Sequence, residues 1–285
     1  MSELILHHYA TSPFSEKVRL VLGMKGLRWR SVTVPVIMPK PDVVALTGGY
    51  RRTPFMQVGA DVYCDSSLMC KVIDRIAPEP PLYPQATAGL AEMVAQWADS
   101  TLFWTAVPYT MQPAGVAHIF AGAPPEVVKA FGADRAAMYP TMRRAPIADA
   151  HAALTAYLGR LEATLRDGRP FLLGSTASIA DFAAAQSIWY MRRVPAIAAT
   201  LAPYAGVIRW FERVGAFGHG ESIPMGSDEA IQVAASAHAH APAAVAAGQP
   251  FQAGAEVTVA AADYAHDEIA GSIVGLDGNE VVIAR

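Results

Sequence analysis

Three short stretches carry side chains whose types and spacing could do chemistry. The first is Tyr9-Ala10-Thr11-Ser12-Pro13-Phe14-Ser15, where an apolar run gives way to a helical pattern. Exposed backbone N–H groups and the helix dipole at such a junction favour an anion. A redox protein would place Cys-x-x-Cys here. Ser12 and Ser15 stand in both positions, so thiol–disulfide exchange on the protein's own cysteines is not expected. A serine hydroxyl can instead donate to a bound thiolate. One charge-assisted bond of ~1.5–3 kcal/mol lowers a thiol pKa by about one to two pH units. A plain N-cap accounts for Ser12 equally well.

The second stretch is Thr53-Pro54, between a polar loop and an apolar run. A cis proline there leaves the preceding backbone open to pair with an extended peptide. A trans proline opening an edge strand is the simpler reading. The third is Asp65-Ser66 at the start of a helical pattern. An acid beside a hydroxyl and an exposed amide suits the ammonium and carboxylate of an amino acid, and it also suits an ordinary cap.

Local elements must hold these groups in place. Leu4–Tyr9 reads as a strand and Pro13–Leu22 as a helix, with Ser12 as N-cap and Phe14, Val18, Val21 and Leu22 at helical spacing. Trp29–Val34 alternates like a strand, and Asp42–Leu46 suits a short helix. Phe55–Val58 and Val62–Cys64 form a hairpin through Gly59-Ala60-Asp61, and Ser66–Ile76 is helical. That order describes a compact α/β domain. Prolines 78, 80, 81 and 84 end it.

Gly89–Leu102, Pro146–Arg166, Phe182–Arg192 and Val207–Val214 carry helical periodicity, so residues 86–220 read as all-helical. Ser178 and Asp181 have capping-box spacing. Beyond Gly226 the composition changes. Eight acids face a single base, Arg285, and all five tryptophans lie earlier in the chain. A helix at Asp228–Ser236 and strands at Glu256–Ala260, Ser272–Val274 and Glu280–Ile283, the last two joined by Asp277-Gly278, read as a separate small unit.

Composition excludes several classes. With 285 residues, 53% apolar and 16% charged, the chain can bury a large core. A net charge of -3 gives no basic face for nucleic acid. No apolar run reaches a membrane span, and MSELIL lacks a secretory pattern. Cys64 and Cys70 are too few for a disulfide framework, which points to the cytoplasm. His238, His240 and His266 lack the companions of a metal site, so no metal is expected.

The stretches YATSPFSEKVRLVLGMKGL, RRTPFMQVGADVYCDSSLMCKVIDRI and SIADF, in this order, resemble the glutathione transferase family over about residues 3–220. The resemblance implies a thioredoxin-like glutathione-binding domain (1–82), a helical-bundle domain (86–220) and, beyond the family, an acidic α+β extension (226–285). It implies glutathione as cosubstrate, its γ-glutamyl end at Asp65 and Ser66 and its cysteine backbone at Thr53 beside a cis Pro54. The sulfur would face Ser12, with Ser15 and Tyr9 as alternative hydroxyls. Lys40, Arg51 or Arg52 would meet the glycine carboxylate or else face solvent. Phe14, Trp104, Tyr109 and Met111 would wall a pocket for a small hydrophobic electrophile, or simply pack. Thr53 and Asp65 stand where many relatives have Val and Glu.

The reaction so implied is thiolate attack on that electrophile, in a homodimer. Another glutathione reaction, such as isomerisation, is one rival. A non-catalytic binding or scaffold protein is the other. An extension packed over the cleft would favour gating of substrate access. An exposed apolar patch on it would favour a partner protein.

Overall fold

The computed structural model describes residues 3–140 and 145–285. Residues 141–144, which fall within the stretch read as all-helical, lie outside the described residues. β1 (Leu4–His8) is buried along its whole length, because both faces of the sheet are covered. It pairs in parallel with β2 (Arg28–Thr33) and antiparallel with β3 (Phe55–Val58). β3 turns through Gly59, at φ 62, into β4 (Asp61–Cys64). Helix α1 (Pro13–Met24) starts at the Ser12 cap, and α2 (Pro41–Thr47) and α3 (Ser66–Ile76) complete this part.

The helical part contains α4 (Ala88–Trp97), a π-helical turn at Ala98–Leu102, and α5 (Phe103–Thr110). It continues with α6 (Pro113–Ile119), α7 (Pro125–Met138), α8 (Ile147–Thr164), α9 (Ile179–Arg192), α10 (Pro195–Ala198) and α11 (Ala205–Gly215). Every residue of α9 except Trp189 and Arg192 is buried, and it packs against α1, α4 and α5. The Asp181 carboxylate organises its start. Oδ2 accepts from Ser178 N and Oγ (2.9 and 3.2 Å), and Oδ1 accepts from Leu172 N and Trp210 Nε1 (both 2.8 Å). The capping box is present. Among the described residues no helix is long and apolar enough to cross a membrane.

Residues beyond 220 build partly on the first sheet. β5 (Glu221–Pro224) pairs in parallel with β2, giving the order β4-β3-β1-β2-β5. Its entry is tight. A Cβ at Gly220, which has φ 68, would lie 2.3 Å from the Leu27 carbonyl oxygen. Pro224 can serve here because an edge strand need not donate on its outer side. Helix α12 (Ser227–Ser236) packs on α2 and β2, where Met225 and Ala230 join Ile5, Val32, Val43 and Phe55 in a second core cluster. A three-stranded antiparallel sheet follows, with β7 (Ile269–Leu276) between β6 (Glu256–Val259) and β8 (Val281–Ala284).

The sequence reading contained no strand at 221–224 and no helices at 113–119 or 125–138. β5 is four residues long and mostly exposed. α7 buries only Met138, so it has no apolar stripe to read.

His7 and His8 are both buried, at 1% and 8% exposure, and their hydrogen bonds fix their tautomers. Gln57 Nε2 donates to the carbonyls of Gly59 and Ala230, so its Oε1 accepts from His7 Nε2–H at 3.0 Å. Arg19 Nη1 donates to His8 Nδ1 at 2.9 Å, so His8 Nε2–H donates to Ser31 Oγ at 2.8 Å. The Arg19 bond requires a neutral His8 ring, and burial favours a neutral His7. Burial lowers each pKa to about 4, and the Arg19 charge adds to the effect at His8.

The unfolded chain takes up these protons first as the pH falls, so stability is retained above pH ~6.5 and lost towards pH ~4. Each ring contributes a slope of up to ~1.36 kcal/mol per pH unit. Thermal midpoints measured across this window should fall with acid, and His8→Asn should remove about half of the two-histidine slope. An unchanged slope in that variant would refute the assignment.

Candidate active site

Ser12 is 2% exposed and caps α1, its Oγ accepting from Ser15 N at 3.2 Å. A hydroxyl has two acceptor positions and one O–H, so capping leaves the O–H able to donate. Ser15 lies one turn along, fully buried, and its Oγ has no hydrogen-bond partner among the described residues. Tyr9 is half-buried, and its hydroxyl accepts from Arg135 Nη2 of α7 at 3.4 Å.

The Thr53-Pro54 peptide is cis. Lys40 reaches this loop from the N-terminus of α2, donating to Thr53 Oγ1 and Arg51 O, both at 3.2 Å. Lys40 is 4% exposed. Burial, reinforced by the nearby Arg135 charge, lowers its pKa to about 8. Arg51 ion-pairs with Asp134 of α7, and Arg52 ion-pairs with Asp263 at 2.5 Å. None of the three cations therefore simply faces solvent, which was one of the sequence expectations. Each long side chain lies against a neighbouring element with at least one head-group nitrogen on a named acceptor.

Asp65 adopts φ 80, a left-handed conformation that turns the chain sharply into α3, and its exposed carboxylate accepts from Ser67 N at 2.7 Å. Ser66 follows it, buried, at the first position of α3. Beneath Ser66 is a group that sequence reasoning missed. Lys17 is fully buried, and its Nζ bonds Ser66 Oγ at 3.2 Å and Asp99 Oδ2 at 2.5 Å. Asp99 also accepts from Gln186 Nε2 of α9 at 2.6 Å. The chain thus joins α1, α3 and the helical part under one rim of the cleft. Nothing in Glu16-Lys17-Val18-Arg19 distinguishes this lysine from a solvated one.

Of the four expected pocket walls, Phe14 packs on Phe103 at 4.5 Å between ring centroids. Trp104 meets Tyr139 and Tyr264 edge-on at 5.4 and 5.2 Å. Tyr109 is buried, with its hydroxyl on His151 Nδ1 at 3.0 Å, and Met111 Sδ accepts from Tyr190 Oη at 3.1 Å. Tyr109 and Met111 are thus held by the helical core. His240 pairs with Asp61, and His266 Nδ1 with the Ala261 carbonyl. Among the described residues no group of side chains suits a metal. Burial raises the Cys64 and Cys70 thiols to about 12, so both stay protonated.

Residues 6–81 match the family description "Glutathione S-transferase, N-terminal domain", and residues 144–213 match "Glutathione S-transferase, C-terminal domain". A solved GST-like protein from Pseudomonas syringae is 37% identical, with a TM-score of 0.83 over 100% of this chain and 92% of that one. The chain belongs to the glutathione S-transferase family. The beta-etherase LigF from Sphingobium sp. strain SYK-6 shares the glutathione S-transferase fold at 16% identity and TM-score 0.56, over 76% of this chain and 96% of that one. FzlA from C. crescentus does so at 24% identity and TM-score 0.54, over 74% and 87%. No curated protein matches the chain.

The two domain matches stop at residue 213, whereas this chain carries Asp263 and Tyr264 back against Arg52. Arg52 lies 3.6 Å from the Tyr264 ring centroid. Burial pushes the Tyr264 hydroxyl above the usual tyrosine range. Arg52 opposes that shift, and Asp263, Tyr9 and Asp65 add to it. Asp263 and Tyr264 sit far from the motifs in sequence, and no local pattern marks them.

Proposed function

We propose that this chain is a glutathione transferase that stabilises the glutathione thiolate and directs it at a small apolar electrophile. The observation carrying the reading is Ser12, whose Oγ caps α1 as an acceptor while its O–H remains able to donate. Asp65 would take the γ-glutamyl ammonium, and Ser66 with the α3 amides would take the neighbouring carboxylate. Thr53 would pair with the cysteine backbone, held in place by Lys40. Ser15 and Tyr9 are the alternative hydroxyls.

In this reading residues 1–82 bind glutathione and 86–220 supply the electrophile side, while Asp263 and Tyr264 of the extension (226–285) lie against Arg52. Exposed Leu90 and Met93 on α4 support a homodimer, and the two unpaired cysteines support a cytoplasmic one. A glutathione-binding protein without turnover is the rival.

Calorimetric titration with reduced glutathione tests the reading. The parent is expected to bind in the millimolar range or tighter, and Asp65→Ala to abolish measurable heat. Ser12→Ala should leave glutathione affinity within about threefold but raise the bound thiol pKa by about one to two pH units. Its conjugation of 1-chloro-2,4-dinitrobenzene should slow by about 10- to 100-fold. No heat with the parent would overturn the reading. Binding without any conjugation would leave the rival.

A further inference from the structure

Arg52 is 8% exposed and adjoins Thr53 in the chain. A guanidinium offers Nε and Nη2 side-on, as a fork matched to both oxygens of one carboxylate. Here only Nη2 is engaged, by Asp263 Oδ1 at 2.5 Å. Nε is buried and has no hydrogen-bond partner among the described residues. An unmade bond on a buried charged donor is costly, so the group is built for a fuller partner than it has.

The partner it has is displaceable. The Asp263 side chain is 61% exposed, whereas Asp134, which holds the neighbouring Arg51, is 7% exposed. The segment bearing Asp263 crosses from the first sheet to the helical part. Tyr264 lies over the guanidinium and meets Trp104, and Ala265 N donates to Met138 O at 2.6 Å. Ala265 is held at φ 46, a left-handed conformation unfavourable for a residue with a Cβ.

We propose that residues 261–265 form a displaceable strap over the cleft, and that Arg52 exchanges Asp263 for a carboxylate of glutathione that engages both Nε and Nη2. The inference rests on the glutathione reading above. In the resting protein Asp263 and Tyr264 neutralise and cover the cation. With glutathione bound the strap lifts, and the buried Nε–H gains its acceptor. The acidic extension is then a competitor for the cosubstrate's site.

Calorimetry and hydrogen exchange on the full chain test this. Asp263→Asn should bind glutathione about three- to tenfold tighter than the parent. Arg52→Gln should weaken binding at least tenfold and erase the effect of Asp263→Asn in the double variant. Without glutathione, Asp263→Asn should speed amide exchange at Ala265. Saturating glutathione should speed exchange over 261–265 in the parent.

A role in stability alone predicts unchanged or weaker binding in Asp263→Asn, and that result would overturn the strap while leaving the glutathione reading intact. Slower or unchanged exchange over 261–265, with or without glutathione, would also overturn it. If neither the parent nor Asp263→Asn binds glutathione, both readings fall.

Discussion

Asp181→Ala is expected to destabilise the protein by about 3–5 kcal/mol, because removing an acceptor strands buried donors. Four N–H and O–H groups point at this carboxylate, from Leu172, Ser178 (twice) and Trp210. Asp181 and Trp210 are both 0% exposed, so water cannot replace the lost acceptor. The thermal midpoint should fall by about 6–10 °C. Asp181→Asn should lose less, since it retains one acceptor oxygen. An alanine variant melting within about 2 °C of the parent would contradict the assignment.

The second large effect is expected at Lys17. Lys17→Met removes the cation paired with Asp99 at 2.5 Å and leaves a largely buried carboxylate without its counter-charge. Breaking such a pair costs about 3–5 kcal/mol. Burial already pushes the Asp99 carboxyl upward, and Lys17 is what opposes it. Without the lysine, the folded state therefore binds this proton more tightly than the unfolded chain does. The Asp99 contribution then favours the folded variant increasingly as the pH falls, so the variant's deficit against the parent, which shares the histidine losses, should be smaller at pH ~5 than at pH ~8. Glutathione affinity should fall as well, since Lys17 supports Ser66 Oγ from below. A deficit that stays constant with pH would show that Asp99 does not carry the charge.

The elements that position the site were readable because each has a local cause. Ser12 before Pro13 marks the start of α1, alternation marks β2, and the Gly59 turn marks the β3–β4 hairpin. Ser178 and Asp181 could be paired from spacing alone, and the capping box is there. What the local pattern lacked was the partner across the fold. Trp210 on Asp181, Asp99 on Lys17 and Asp263 on Arg52 are 29, 82 and 211 residues apart. The acceptors of the basic side chains escaped for the same reason. A lysine or arginine looks solvated until its acceptor is known, and Lys17, Lys40 and Arg52 are all buried. β5 and α7 escaped because neither presents an apolar face long enough to produce a period.

The pairing of β5 with β2 has a bearing on biosynthesis. Arg28 and Glu221 are in register, and Trp29 Nε1 donates to His219 O at 2.7 Å. A ribosome therefore releases β1 to β4 long before the strand that completes their sheet. Throughout synthesis of the helical part, β2 presents an open edge, a template for pairing with another chain. The sheet that begins at Leu4 is thus completed only at Pro224. A nascent chain halted before residue 221 would expose that edge to neighbouring polypeptides, whatever the state of its helices.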